Sequence, residues 1–514
     1  MRGLALLALI AAGSAAAGDV TSLGPEAVGL TLYHDGVTRA ADLRRMSPDD
    51  NMGLAMIVER RTVDLPAGRS RVRFQGVAEG IIPASAAVDG LPGAVVERNF
   101  DYDLLTPASL LGHAVGEPVH VVRTDARTGR ETTLPAVIQS GPDGLLLDYG
   151  GRVEAPRCGG EAERIVFDHA PAGLTDRPTL SVVADAPRAG RHEVVLRYLA
   201  TRMAWSADYV ARVAPGGGTL TLTGWITLAN PSSTAFEAAT TSVIAGRLAR
   251  VPVDRPTAKS PTLEAGCWGG QTTHSDWAER MLKGNPAPPP PPPMAAPMVA
   301  MRSVVVTAQK RVIESQLGDY KLYTLTEPTT VAARQTKQVL LFEQPEVRFD
   351  TVYAYDSWVD EPTGQEAARV VLRFKNTVAQ GLGRAIPAGW IALRRPGPDG
   401  HDLFAGEREL PSDISVGEPF EIDAGAAQDV TVTHTVTESG DTSRQSRRAF
   451  AITATNAKAT PVTVEIRQRR GFDGFKVTTE SRPHDLKSGD PVWRLTVPPG
   501  AESALTYAIE FRRG

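Results

Sequence analysis

"YLATRMAWSADYVARV", residues 198–213, decides the fold, because it places Trp205, Ala207, Tyr209, Ala211 and Val213 on one alternating set and Ser206, Asp208, Val210 and Arg212 on the other. Successive side chains of a strand point to opposite faces, so a period of two reads as one packed face and one wet face. Trp205 and Tyr209 are then core aromatics, with the phenol at the rim, and Asp208 is solvated on the other side. The same rhythm runs through "HEVVLRYLA" (192–200) and, beyond the turn "PGGG", through "TLTLTGWITLAN" (219–230). There Leu220, Leu222, Ile226 and Leu228 alternate with threonines and Trp225. Three such segments in succession predict a meander.

Working outward, "VGLTLYHDG", "AMIVERRTVDLPAG", "RVRFQGVA", "PVHVVR" and "GLLLDYGG" are short, β-branched and closed by Gly, Pro or Asp, as strands are. The 48 Gly and 39 Pro agree with many turns between them. Two "GPDG" turns (141–144 and 397–400) and "FDGF" (472–475) predict hairpins. "TPASLLGHAVG" predicts one helix, capped by Thr106, begun at Pro107 and stopped at Gly116. From "KQVLLFE" to "SALTYAIEF" strands return at the spacing of antiparallel sandwiches, without βα alternation. Between them, "NPAPPPPPPMAAPM" and its small, polar surroundings cannot build a packed face. The expected fold class is all-β: multiple antiparallel β-sandwich-like domains with a long disordered Pro-rich insertion. The expected organisation is a signal peptide at 1–17, an N-terminal β domain at 18–168, a β region at 169–253, the insertion at 254–315 and a C-terminal sandwich part at 316–514.

The start, "MRGLALLALIAAGSAAAGDV", has one Arg, an apolar run and small residues ending in Ala15, Ala16 and Ala17. This is the layout of a secretory signal cleaved after Ala17, and the apolar run is shorter than the ~20 residues of a bilayer span. Export to the periplasm or cell envelope is expected, with no transmembrane segment after cleavage. The charge balance, 55 Lys+Arg against 59 Asp+Glu, gives a net charge of −4 and no footprint for nucleic acid. The two cysteines, Cys158 and Cys267, have no His or carboxylate neighbours to complete a zinc shell. In an oxidising compartment a disulfide is the better reading for such a pair. A loop of on the order of 100 residues would make that bridge worth roughly 4 to 5 kcal/mol, less any strain.

Reaction motifs are missing: there is no G-x-S-x-G, S-x-x-K, Walker phosphate loop, G-x-G-x-x-G or H-E-x-x-H. The nine histidines are scattered, His113 and His120 being the closest pair weighed as ligands. No catalytic, cofactor-binding or metal-binding residue is assigned, and no cofactor is expected. A carboxylate-based hydrolase needs only two acids brought together by folding, so Asp101 with Asp103 and Glu407 with Glu409 are kept as pairs to place. "SPDDNMG" (47–53) offers oxygen ligands, but its spacing departs from a calcium loop.

Tyr198, Trp205 and Tyr209 in the opening stretch carry a resemblance, as do Asn376, Gly381, Gly383, Pro387 and Gly389 in "VVLRFKNTVAQGLGRAIPAGWIALRR". With "DYKLYTLTEPTTVAARQTKQVLLF" they make residues 170–514 similar to the bacterial domain-of-unknown-function family numbered 4139, whose relatives are called mucoidy-inhibitor-like. "LPAGRSRVRFQGVAEGIIPASAAV" looks like the β-rich N-terminal part that accompanies it. The resemblance implies an exported, mostly β protein without an established activity. Longer relatives carry a coiled-coil insertion, and nothing here has sustained heptads. The functional expectation is a non-enzymatic envelope binding or scaffold protein whose partner is an envelope protein or polysaccharide. The alternative is a carboxylate-based carbohydrate-active or other hydrolytic enzyme of the envelope.

Overall fold

The computed structural model of the protein describes residues 18–34, 42, 52–93, 95–101, 107–125, 127–141, 144–155, 162–169, 177–246, 248, 312–359, 363–442, 445–469 and 474–512. Of the described residues 68% are strand and 3% helix, so the all-β reading stands. Residues 1–17, expected to be a signal peptide, and the proline run lie outside the described residues. The chain is already in a strand, Val312–Leu317, by the last four positions assigned to the insertion.

Three cores organise the sheets. The first is shared by three of them. A four-stranded sheet runs Gly18–Ser22, Gly68–Gln75, Thr179–Ala186, Val95–Asp101, and an eight-stranded one is centred on Phe236–Ala245, Ala27–Tyr33, Leu54–Leu65 and Gly190–Ala200. The third is five-stranded, in the order Gln335–Arg348, Thr219–Asn230, Ala204–Val213, Gly389–Pro396, Asp402–Leu410. Their inward residues, from Leu30 and Phe74 to Trp205 and Ile391, form one contiguous apolar cluster. A second core lies within a nine-stranded sheet, where Trp493, Tyr507, Phe450 and Val464 meet. A third, around Val121, Ile138 and Leu147, belongs to a small sheet built from residues 118–166 and the helix Pro107–His113. Two strands tie the first core to the second. Gly364–Lys375 gives Leu372 and Phe374 to one and Ala368 to the other, and Pro419–Asp441 gives Ile422 to one and Val430 to the other.

The opening stretch behaves as its alternation requires on one point and departs on two. Trp205, Ala207, Tyr209, Ala211 and Val213 are all buried and Asp208, Val210 and Arg212 are not, although Ser206, of the outward set, is buried too at 4% exposure. The predicted meander, however, breaks. Gly190–Ala200 pairs with Leu54–Leu65 in the eight-stranded sheet, whereas Ala204–Val213 pairs with Thr219–Asn230 in the five-stranded one. The chain changes sheet at Arg202, whose backbone is left-handed at φ 63°, because the two sheets cover the same core from different sides. Nor does the Tyr209 phenol reach the rim. It is 2% exposed and donates to the Pro387 carbonyl at 2.8 Å, while Trp205 Nε1 donates to the Ile244 carbonyl across the core.

Both "GPDG" stretches join strands paired as hairpins, with Gly141 opposite Gly144 and Pro396 opposite Asp402. "FDGF" does not. Val462–Gln468 pairs with Asp350–Ser357 and Asp490–Val497, and Phe475–Glu480 pairs with Ala501–Arg512, so the connection crosses between strands with better partners elsewhere. Parallel pairs also enter the antiparallel-rich sheets. Ala204–Val213 lies parallel to Gly389–Pro396, and a Cβ on Gly389 would sit 1.9 Å from the Ala207 carbonyl oxygen, which is why glycine stands there.

One polar network is sealed in the first core. Glu59 and Arg61, each 1% exposed, face inward from one strand, with Arg61 Nε 2.7 Å from a Glu59 carboxylate oxygen. The guanidinium also donates to the carbonyls of Gln75 and Ser22 in the opposite sheet, and Tyr198 donates to Glu59 at 2.6 Å while accepting from the Ala78 amide. Burial pushes the Glu59 carboxyl up, opposed by Arg61 and Tyr198. Taking one partner from such a pair strands a buried charge, at about 3 to 5 kcal/mol. Arg61→Met is therefore expected to lower the urea midpoint strongly, and the double replacement Glu59→Leu/Arg61→Met to recover most of the loss. Equal losses in the two would show that the pair itself stabilises.

On the outer face of the nine-stranded sheet, Glu465 accepts from Arg373 and Arg467 at 2.8 Å and from Arg494 at 3.1 Å. Burial alone would raise its carboxyl, but these bonds and charges win and hold it at about 2. A carboxyl lowered by folding stabilises the fold above its ordinary value of 4.5, and that contribution is lost as the pH falls through about 2. The thermal midpoint followed by near-UV circular dichroism should fall between pH 4.5 and 2, and fall less steeply in Glu465→Gln.

Candidate functional site

The acids singled out from the sequence are placed only in part. Asp101 ends the strand Val95–Asp101, and Asp103 lies outside the described residues. Glu407 and Glu409 are exposed on the same face of the edge strand Asp402–Leu410. His113 closes the helix, and His120 Nε2 lies 3.5 Å from Asp168 at the surface. Cys158 and Cys267 fall outside the described residues, as does most of "SPDDNMG". Among the described residues no three His, Cys, Asp or Glu side chains are grouped to hold a metal. No described helix is long and apolar enough to cross a membrane.

The outward face of the five-stranded sheet gathers the residues with chemistry to offer. Asp208 stands opposite Trp225 on one neighbouring strand and opposite Trp390 on the other. Leu340 lies beyond Trp225 and Glu409 beyond Trp390. Residues directly opposite share a face, so Leu340, Trp225, Asp208, Trp390 and Glu409 make one row across all five strands. The two indoles are each half-buried, and with one strand between them they stand about 10 Å apart at the backbone. The next row on one side is polar. The Thr227 hydroxyl donates to Asp208, and the Gln338 amide donates to Thr227 at 3.0 Å. On the other side Trp390 Nε1 donates to Glu407 at 2.7 Å, and further along Arg212 pairs with Asp402. The carboxylates therefore hold the platform in place.

Each Trp follows a glycine that the inner face demands. Gly224 lies opposite Tyr209 and Phe342, and a Cβ on it would come within 3.0 to 3.1 Å of both rings; Gly389 is the residue fitted against Ala207. The two strands read "GWITL" (224–228) and "GWIAL" (389–393), and both set their Trp beside Asp208. That echo was the available signal in the sequence. The parallel register between Asp208 and Trp390 had no local trace.

The loop entering the second of these strands is built by the residues that carried the family resemblance. Asn376 is fully buried; its amide donates to the carbonyls of Arg384 at 2.6 Å and Ser415 at 2.9 Å and accepts from the Gly383 amide at 3.0 Å. Gly381 and Gly383 hold φ of 86° and 80°, and Pro387 supplies the carbonyl that Tyr209 reaches. No family model matches the chain, and no curated protein matches it.

Because Trp225 and Trp390 sit on the wet face and Trp205 in the core, truncation separates them. Trp205→Ala should cost about 3 to 5 kcal/mol in chemical denaturation, and Trp225→Ala or Trp390→Ala about 1 kcal/mol each. A large loss for either outer Trp would mean that the platform is covered.

Proposed function

We propose that the protein is an exported envelope protein that binds polysaccharide without catalysis, holding it on the Trp225–Asp208–Trp390 platform. The observation that carries this reading is the single row of two half-buried indoles with an acid between them. An indole offers a large, rigid apolar face at little entropic cost, and carboxylates and amides accept hydrogen bonds from hydroxyls. A sugar presents both an apolar ring face and a fringe of hydroxyls, and a span of about 10 Å suits two or three joined rings better than one. The N-terminal signal pattern supports export, and the Asn376 to Gly389 motif supports membership of the family numbered 4139.

Hydrolysis is the second reading, favoured by one feature: Asp208 and Glu409 flank Trp390 two strands apart, about 10 Å at the backbone, near the carboxyl separation of inverting glycosidases. Against it, Asp208 already accepts from the Thr227 hydroxyl.

Affinity electrophoresis of the full chain through gels containing neutral, acidic or amino-sugar polysaccharides tests both readings. Retardation by one class is expected, weakened about tenfold or more in Trp225→Ala and in Trp390→Ala, a loss typical of a central aromatic anchor. Retardation untouched by both variants would sink the proposal. Release of reducing ends, abolished by Asp208→Asn and Glu409→Gln, would establish the hydrolytic reading in its place.

A further inference from the structure

The face that carries the two indoles continues past them, and its far end is built differently. Trp390, Ala392 and Arg394 alternate along one strand of the five-stranded sheet, as Asp208, Val210 and Arg212 do along its neighbour. Their register sets Arg212 directly opposite Arg394, and Arg394 in turn stands opposite Phe404 on the edge strand. Arg212 pairs with Asp402, two residues before Phe404, so Asp402 and Phe404 are turned to this same face. Arg212, Arg394 and Phe404 are all exposed, the ring at 67%. This row lies four residues, about 13 Å, along the strands from the indoles. Between the two rows the side chains are short: Val210 and Ala392, each half-buried.

Like charges directly opposite one another in a sheet repel, so two facing arginines call for acids to separate them. Among the described residues one acid, Asp402, lies within ion-pair distance of either guanidinium, and it serves Arg212. Arg394 has none. The next acid on the face, Glu407, stands opposite Ala392 and accepts from Trp390 Nε1 at 2.7 Å, which draws its carboxylate toward the indole and away from Arg394. An uncompensated guanidinium is thus left beside a bare aromatic ring, at the end of the face that already offers two indoles.

We infer that Arg394 and Phe404 form a further subsite of the platform, and that the polysaccharide it takes is acidic, with carboxylates carried directly on its sugar rings. The inference rests on the polysaccharide reading above and adds the substrate class to it. A guanidinium meets a carboxylate through two parallel N–H donors, while the Phe404 ring gives the apolar face of the same sugar a surface to stack on. Opposite side chains start about 5 Å apart, so a carboxylate bonded straight to the stacked ring falls within reach of Arg394. An ester-linked sulfate or phosphate stands further from its ring. A chain bound at both places leaves the indoles along the strands, passing over Val210 and Ala392 from Trp390 to Phe404.

Calorimetric titration of the full chain with an oligogalacturonate, and with the same oligosaccharide after its carboxyls are reduced to alcohols, isolates the charge. The acidic form is expected to bind about tenfold or more tighter, with the difference shrinking as salt rises. In Arg394→Gln the two forms should bind alike, in Arg394→Lys part of the preference should return, and Phe404→Ala should weaken both forms severalfold. Trp390→Ala should weaken both and keep the preference. Without sugar, Arg394→Gln should melt at or above the unaltered protein, because it removes one of two facing cations. Equal affinities for the two forms, a preference that survives Arg394→Gln, or no binding of the acidic form would overturn the inference and leave the platform to its own gel test. So would a lower melting point in Arg394→Gln, which would reveal an internal partner for the guanidinium. Binding lost in Arg394→Gln and Phe404→Ala but untouched in Trp390→Ala would keep this subsite and remove the indole platform.

Discussion

The structure depends on one strand held from both sides. Ala204–Val213 is hydrogen-bonded antiparallel to Thr219–Asn230 and parallel to Gly389–Pro396, so it can neither slip nor twist away. A slip of one residue would send Trp205 and Tyr209 into water and Asp208 into the core. Tyr209 and Trp205 strengthen that register, because each ends in a hydrogen bond to a carbonyl on another segment of the first core. Once the register is set, whatever lies on the outer face is set with it. The platform is a by-product of the packing behind it.

Polar groups inside the first core act as pins of the same kind. The Glu59–Arg61 pair spans two sheets because its donors end on carbonyls of Ser22 and Gln75 and its acceptor takes the Tyr198 hydroxyl. A buried pair of this sort adds little net stability, yet any other arrangement of the sheets leaves a charge alone. Asn376 plays the matching part for the loop before Gly389, where a neutral amide closes four main-chain groups that would otherwise be buried without partners.

Much of the fold was legible because it rests on local rules. Trp205 to Val213 declared a strand with one dry face by alternation alone, and the "GPDG" turns declared hairpins by their glycines. The meander failed at Arg202, and "FDGF" failed to make a hairpin, for one reason: adjacency in the chain favours pairing, but a strand joins whichever edge buries its apolar set best. The candidate site was half visible. Asp208 and Trp225 lie on the outer side as read, although Ser206 of the same set is buried, whereas Trp390 was seen only as part of a distant strand.

What the amino-acid sequence determined by itself is the class of architecture, all-β with one face of each main strand packed, because side-chain period is a property of neighbouring residues. Only the tertiary structure decided that Gly389–Pro396 runs parallel to Ala204–Val213, and that Trp390 therefore meets Asp208 and Arg394 meets Arg212. Those meetings join residues far apart in the chain. They follow from how sheets share a core, a competition among many pairings that no local pattern records.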